Sequence, residues 1–406
     1  MPLPGSPPWR EQQLDSVLRF ARRSALPDGG FGRLDAAGDV QTGRGLELWI
    51  NARMTYVFAI ASMRDGTVDP LAEHGVRALR DLFADPEHGG WFAAVTSDHR
   101  PAETRKGCYE HAFVVLAASA ARLAGVAGTA ELLDEALAVH ERWFWDEGAG
   151  RCREAWDAGW TTAEAYRGVN SNMHTVEAYL TASDATGDPR WRHRALRICE
   201  QVVAGARAND WRLPEHFDAE WRILLDYNAG APADPFRPYG ATPGHGLEWS
   251  RLLVGLDGAL ADPPAWLVEA AAALYTRAVR DGSLGDTIVY TTDWEGEPVT
   301  RERFHWVMAE AVAAADALAR RTDGAVGAAD SARWWRAIEN HFVDHGHGSW
   351  HHELDDTLRV SGRTWPDKPD AYHAVNALLL PDAPLAPTLA RTLAGSSGSA
   401  PPWQRD

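Results

Sequence analysis

Two kinds of helix alternate along this chain, and that alternation limits the folds open to it more than any single motif does. One kind is amphipathic and charged: WREQQLDSVLRFARR, PLAEHGVRALRDLF, TAELLDEALAVHERWFW, PRWRHRALRICEQVVAG, PAWLVEAAAALYTRAVR and SARWWRAIENHFVDH. Each pairs an apolar stripe with a charged face, the pattern of a helix with one side in water. The other kind is poor in charge and gathers its polar residues near its beginning: LWINARMTYVFAIAS, CYEHAFVVLAASAARLA, NSNMHTVEAYLTAS, GHGLEWSRLLVGL, FHWVMAEAVAAADALA and DAYHAVNALLL. A helix that is apolar on most sides has to be enclosed by others. Marker residues near the starts of this second kind, Trp49, Tyr109, Asn172, His245, His305 and Tyr372, stand 60, 63, 73, 60 and 67 positions apart. Spacing of that size is a repeat of helix pairs. Six outer helices alternating with six inner ones is the pattern of an all-α (α/α)6 barrel. An open helical solenoid and two stacked bundles are the alternatives.

Short Gly/aromatic segments link the outer helices to the inner ones: DGGFGRLD, EHGGWFAAV, GAGRCREAW, DTIVYTTDWEGEPV and GHGSWHHELDDTLRV. They predict small β-hairpins with tight turns. No internal linker is visible, so residues 1–390 are expected to form a single catalytic barrel domain. The ending LAGSSGSAPPWQRD is small, polar and Pro-rich, which predicts a flexible tail over 391–406.

Composition narrows the partners. The net charge of −17 argues against nucleic acid or an anionic membrane. The start MPLPGSPPWREQQ has neither a basic n-region nor an apolar h-region, and no apolar run reaches the roughly 18 residues of a membrane span. Cys108, Cys152 and Cys199 are odd in number and widely spaced, as expected of reduced core thiols in a cytoplasmic protein. With 19 Trp, some are expected to line a cleft in which sugar rings stack on aromatic faces, while most belong to the core. Monomer and homodimer both remain open.

In such a barrel the starts of the inner helices would face one mouth, gathering Arg53, Tyr109, His111, Asn172, His174, Glu177, His245, Glu248, Glu310 and His373. Taken singly, each has a plain structural reading, such as a core ion pair for Arg53 or an N-terminal capping turn for Asn172 and His174. Together they point to a shared polar pocket. His245 and Glu248, three apart, share one helix face beside Gly244 and Gly246. The helix dipole favours a neutral imidazole at a helix N-terminus, and His174, His245 and His373 lie on three different inner helices. Two such rings flanking a substrate carbon can take and return a proton next to a carbonyl. Arg53 would polarise the carbonyl oxygen or hold a hydroxyl, and Glu248 and Glu310 would orient histidines or bind hydroxyls. His345, His347, His351 and His352 crowd the segment DHGHGSWHHE, but it lacks HExxH order and a second ligand cluster, so no metal is expected.

In the motifs WINARMTYVFA, NSNMHTVEAYL, PYGATPGHGLEWSRLL, VYTTDWEGEPV, FHWVMAEA and KPDAYHAVNALLLP the chain resembles the N-acylglucosamine 2-epimerase superfamily. The likeness runs over residues 10 to 390, and it is strongest to the aldose–ketose isomerase branch that holds mannose and sulfoquinovose isomerases. The resemblance implies an (α/α)6 barrel acting on a free monosaccharide with no cofactor, by ring opening and proton transfer at C2. It implies acid/base histidines at His245 and His373, and sugar contacts at Arg53, Tyr109, Asn172, His174, Glu248 and Glu310, with Trp306 along the cleft. Sulfoquinovose isomerases carry an Arg and glutamines where this chain has Pro235, His352 and Pro369, with Arg237 nearby. Those departures predict a neutral sugar, D-mannose with D-fructose and also D-lyxose with D-xylulose. A sulfoquinovose isomerase, a sugar 2-epimerase, a glycoside hydrolase using Glu248 and Glu310, and a non-catalytic sugar- or protein-binding toroid are the other readings.

Overall fold

Helix α2 (Leu48–Asp65) shows how the inner kind is made. Every residue from Leu48 to Met63 is buried, because its only charges are Arg53 and the terminal Arg64 and Asp65. It stops at Gly66, whose φ of +69° is left-handed and whose N–H returns to the Ser62 carbonyl. The outer α3 (Pro70–Asp81) begins with Pro70 behind Asp69, whose carboxylate accepts the Leu71 N–H. It buries only the stripe Ala72, Gly75, Val76 and Leu79 with Ala78.

The computed structural model describes residues 2–396. Besides α2 and α3 its α-helices are α1 (Pro7–Ala21), α4 (Cys108–Leu123), α5 (Thr129–Val139), α6 (Val169–Thr186), α7 (Arg190–Ala208), α8 (Pro243–Ala259), α9 (Trp266–Gly282), α10 (His305–Arg321), α11 (Ala328–Ala337), α12 (Tyr372–Leu379) and α13 (Leu389–Ser396). The first twelve are the expected outer and inner helices in alternation. α13 was not expected: Leu389, Ala390 and Ala394 are buried, so residues 391–396 are helix rather than tail. The rest of the expected tail, 397–406, lies outside the described residues. No described helix is long and apolar enough to cross a membrane.

The chain divides into two compact units. One comprises Met1–Ala21, Asp35–Gly38 and Glu200–Leu385, the other Arg22–Leu34, Asp39–Cys199 and Ala386–Asp406. In the first, α8 packs on α9 and α10, α10 on α11 and α12, and α12 on α1. In the second, α4 packs on α2, α5 and α6, α2 on α3, and α13 lies across α2, α4 and α6.

The expected hairpins are present as two-residue antiparallel pairs and single bridges. Trp145–Asp146 pairs with Arg151–Cys152, Ala84 bridges Trp91, and Val343 bridges Trp350. One device closes all three turns. The side chains of Asp85, Asp146 and Asp344 each accept backbone N–H bonds from residues two and three positions on. Each also holds a cation, namely Lys106 at 2.7 Å, Arg153 at 2.9 Å and Lys368 at 2.6 Å. Lys106 and Lys368 are buried outright, so these are core ion pairs. The three cysteines are buried, and none is in a disulfide.

Candidate active site

The loop before α8 is shaped by glycine. Gly240 has φ +89°, and a Cβ there would lie 2.1 Å from the Thr292 carbonyl oxygen. This lets Ala241 bond Thr292 in both directions at 2.9 Å, which anchors the start of α8. A Cβ on Gly244 would come within 2.6 Å of the Trp306 ring, so only glycine lets that indole lie against α8. The expected purpose of the glycines, an uncrowded helix mouth, thus takes a specific form.

His245 is buried, but its partner is not Glu248. Its Nδ1 lies 2.9 Å from Oε1 of Glu215, thirty positions upstream and just before the strand His216–Phe217. Glu248 instead sits 3.7 Å from Arg251 on its own helix. The i,i+3 spacing put His245 and Glu248 on one face correctly, yet consecutive turns point their side chains at different neighbours. His373, at the start of α12, repeats the first arrangement: its Nδ1 lies 3.0 Å from Glu310 Oε1. Glu310 Oε2 accepts from Arg251 Nε at 2.8 Å. Burial pushes the Glu310 carboxyl up, but the Arg251 charge and the hydrogen bonds from His373 and Arg251 outweigh it. The carboxyl is held well below its usual range and is ionised. The Trp306 indole stands by both imidazoles, 5.3 Å from His245 and 5.8 Å from His373 by ring centroids.

In the other unit a second polar cluster forms. Arg53 Nη2 donates to the Tyr109 hydroxyl at 2.9 Å, and its guanidinium lies 4.4 Å from the Phe113 ring and 5.0 Å from Trp49. The His174 ring packs 5.2 Å from Tyr109 and 4.6 Å from Phe113, with Nδ1 3.7 Å from Glu177. Asn172 does not join them. Its Oδ1 accepts the Cys152 N–H, and its Nδ2 donates to the carbonyls of Cys152 and Gly168. Asn51 bonds Phe31 and Glu47 in the same way, and His111 Nε2 accepts the Trp91 N–H. Burial drives the His111 imidazole well below its usual value, so it stays neutral and can accept that bond. Asn51, His111 and Asn172 are each the fourth residue of an inner helix, and each clips a hairpin to it. Arg53, Phe113 and His174 are each the sixth. Comparing the inner helices with one another, rather than reading each alone, separates clip from cluster.

Sequence reasoning missed Glu215 and Arg251. Arg251 had a signal, a lone cation in the body of an apolar inner helix. Glu215 had none. The histidine-rich segment disperses: His345 pairs with Glu339, His347 and His351 flank Asp344, and His352 stacks on His305 at 3.7 Å. Among the described residues, two donor groups within single units are tight enough for an ion, Glu248–Glu310–His373 and Cys108–His140–Cys152. In the first, Arg251 already supplies the positive charge.

The family model for N-acylglucosamine 2-epimerase (GlcNAc 2-epimerase) matches residues 29–377. A D-mannose isomerase of Thermobifida fusca is 49% identical over 394 residues, 95% of this chain and 96% of that protein. One from Pseudomonas cannabina pv. alisalensis is 43% identical, covering 95% of each. A solved D-mannose isomerase structure superposes with a TM-score of 0.87 at 27% identity, over 93% of this chain and 98% of that one. The likeness bears out the expected all-α barrel class.

Proposed function

The chain belongs to the N-acylglucosamine 2-epimerase family, and on that footing we propose that it interconverts D-mannose and D-fructose by proton transfer between C2 and C1. The observation that carries the chemistry is the pair of carboxylate-backed imidazoles, Glu215–His245 and Glu310–His373, on one indole. With Nδ1–H donated to a carboxylate, the nitrogen that works on substrate in each ring is Nε2. Each carboxylate steadies the imidazolium formed when Nε2 takes a proton. Ring opening moves the O1–H proton away while the ring oxygen gains one. The C2 proton then passes to an imidazole as O1 is protonated, giving a cis-enediol. Loss of the O2 proton and return of a proton to C1 complete the ketose.

Trp306 offers an apolar face for the sugar ring. Glu248 would accept from a hydroxyl, and the resemblance assigns further sugar contacts to Arg53, Tyr109 and His174. A glycoside hydrolase needs one carboxyl protonated as general acid. Glu310, held ionised by Arg251 and His373, is unsuited to that part. Three buried thiols suit a reducing compartment, and we place the activity in the cytoplasm.

The test is NMR of purified protein with D-mannose in D2O, with and without EDTA. Fructose formed equally in both supports the reading. Glucose as main product would make it a 2-epimerase, and conversion of sulfoquinovose in place of mannose would move the substrate. His245→Ala and His373→Ala should each cut turnover by about 10²–10⁴ with the fold intact. Full activity in both would sink the assignment.

A further inference from the structure

The two histidine–carboxylate pairs differ in one respect: Glu310 is shared with a cation. We propose that Arg251 is a positioning residue whose positive charge sets the pH at which the Glu310–His373 pair takes up its proton. This rests on the isomerase reading for its importance in turnover, but not for its electrostatics.

Arg251 Nε is 2.8 Å from Glu310 Oε2, and Glu310 Oε1 is 3.0 Å from His373 Nδ1. The side chains of Arg251, Glu310 and His373 are 12%, 2% and 6% exposed, so solvent screens little of this. The charge count gives the direction. With a neutral imidazole the Arg–Glu–His triad carries no net charge, and protonation leaves it at +1. Without the arginine it starts at −1, and protonation neutralises it. A proton is therefore bound more readily when Arg251 is absent. The Coulomb effect is carried by the pair, because two groups this close titrate together.

The other groups around His373 do not duplicate Arg251. From α8, Glu248 contributes a carboxylate oxygen that lies within 4.8 Å of a Glu310 carboxylate oxygen and a His373 ring nitrogen. From α10 comes His305, 6.4 Å away by centroids and stacked on His352. Around α12 itself are Tyr372 and Asp370, the latter accepting the Tyr372 N–H. Helix α1 brings Arg10, paired with Asp382, and Glu11, Asp15 and Arg19, which are exposed. Arg251 is the cation bonded directly to the histidine's carboxylate. Two hydrogen-bonded links place it about 7 Å from the imidazole. At an effective dielectric of about 20, a unit charge at that range moves a titration by about one to two pH units.

The experiment compares wild type with Arg251→Lys, Arg251→Gln and Arg251→Met. The two neutral variants ensure that one folded form carries the test. Two readouts are taken: the pH profile of kcat/KM on D-mannose, and the NMR titration of His373 in histidine-labelled protein, assigned with His373→Asn. The expected result is an upward move of about one pH unit or more in the acid limb and in the His373 titration for Gln or Met. Arg251→Lys should stay within about 0.3 unit of wild type, since it keeps the charge. Equal losses of kcat in Lys, Gln and Met with no movement of either readout would overturn the proposal, leaving Arg251 a packing residue. If wild type fails on mannose, the isomerase reading falls, while the His373 titration still decides the role of Arg251.

Discussion

Replacing Glu215 by glutamine tests the catalytic geometry most directly, because it removes a charge while keeping the side chain's size and an acceptor for the His245 ring. The contact is 2.9 Å long, and both groups are buried. Charge centres about 4 Å apart at an effective dielectric of about 20 interact by about 4 kcal/mol. In the transition state for proton transfer to Nε2 the ring carries about half of the imidazolium charge, so the variant loses about 2 kcal/mol of stabilisation. That is about a 30-fold fall in rate. The neutral ring of the ground state interacts far less with the carboxylate, so the loss should fall on kcat with KM nearly unchanged. Glu215→Ala should fall further, since the ring also loses its anchor. Initial rates of fructose formation from D-mannose, with circular dichroism to confirm folding, measure both variants. Wild-type kcat in a folded Glu215→Gln enzyme would refute the reasoning. So would a raised KM at unchanged kcat, which would make Glu215 a substrate contact.

Asn172→Ala should lower stability by about 2–4 kcal/mol, because it strands the N–H and carbonyl of Cys152 in the core, yet leave the KM for mannose unchanged in the folded fraction; a raised KM would restore the sugar contact implied by resemblance. Lys106→Met and Lys368→Met should each cost about 3–5 kcal/mol in urea unfolding, by leaving Asp85 or Asp344 buried without its cation. Burial raises both carboxyls, but the lysines and the turn N–H groups outweigh it, so both lie below the ordinary 3.8. A depressed folded value means stability that is present above the unfolded value and lost as pH falls through the folded one. Wild type should therefore lose stability below about pH 4, with a shallower slope in the methionine variants; an identical slope would count against the pairs.

Alternation and spacing made twelve helices and most hairpins legible, because burial around a helix is written directly in the charge on its faces. The unforeseen helix α13 is the eight-residue stretch LARTLAGS, whose buried members are only Leu389, Ala390 and Ala394. That is too little signal to separate a docked helix from a tail. The histidines were legible as well, being titratable groups at the heads of apolar helices. Their partners were not. Spacing along one helix shows which residues share a face, so it suggested Glu248 for His245.

The chain's own pattern settled the all-α class, the inner and outer roles of the helices, and His174, His245 and His373 as titratable candidates at helix heads, from which the family resemblance singled out His245 and His373. These follow from periodicity and local charge, which act within a few turns. The tertiary structure assigned Glu215 to His245, bound Arg251 to Glu310 behind His373, and withdrew Asn172 to clip a hairpin. Such pairings depend on which side chains meet across 20 to 63 positions of chain, and hydrogen bonds of about 3 Å form only once packing has brought those surfaces together.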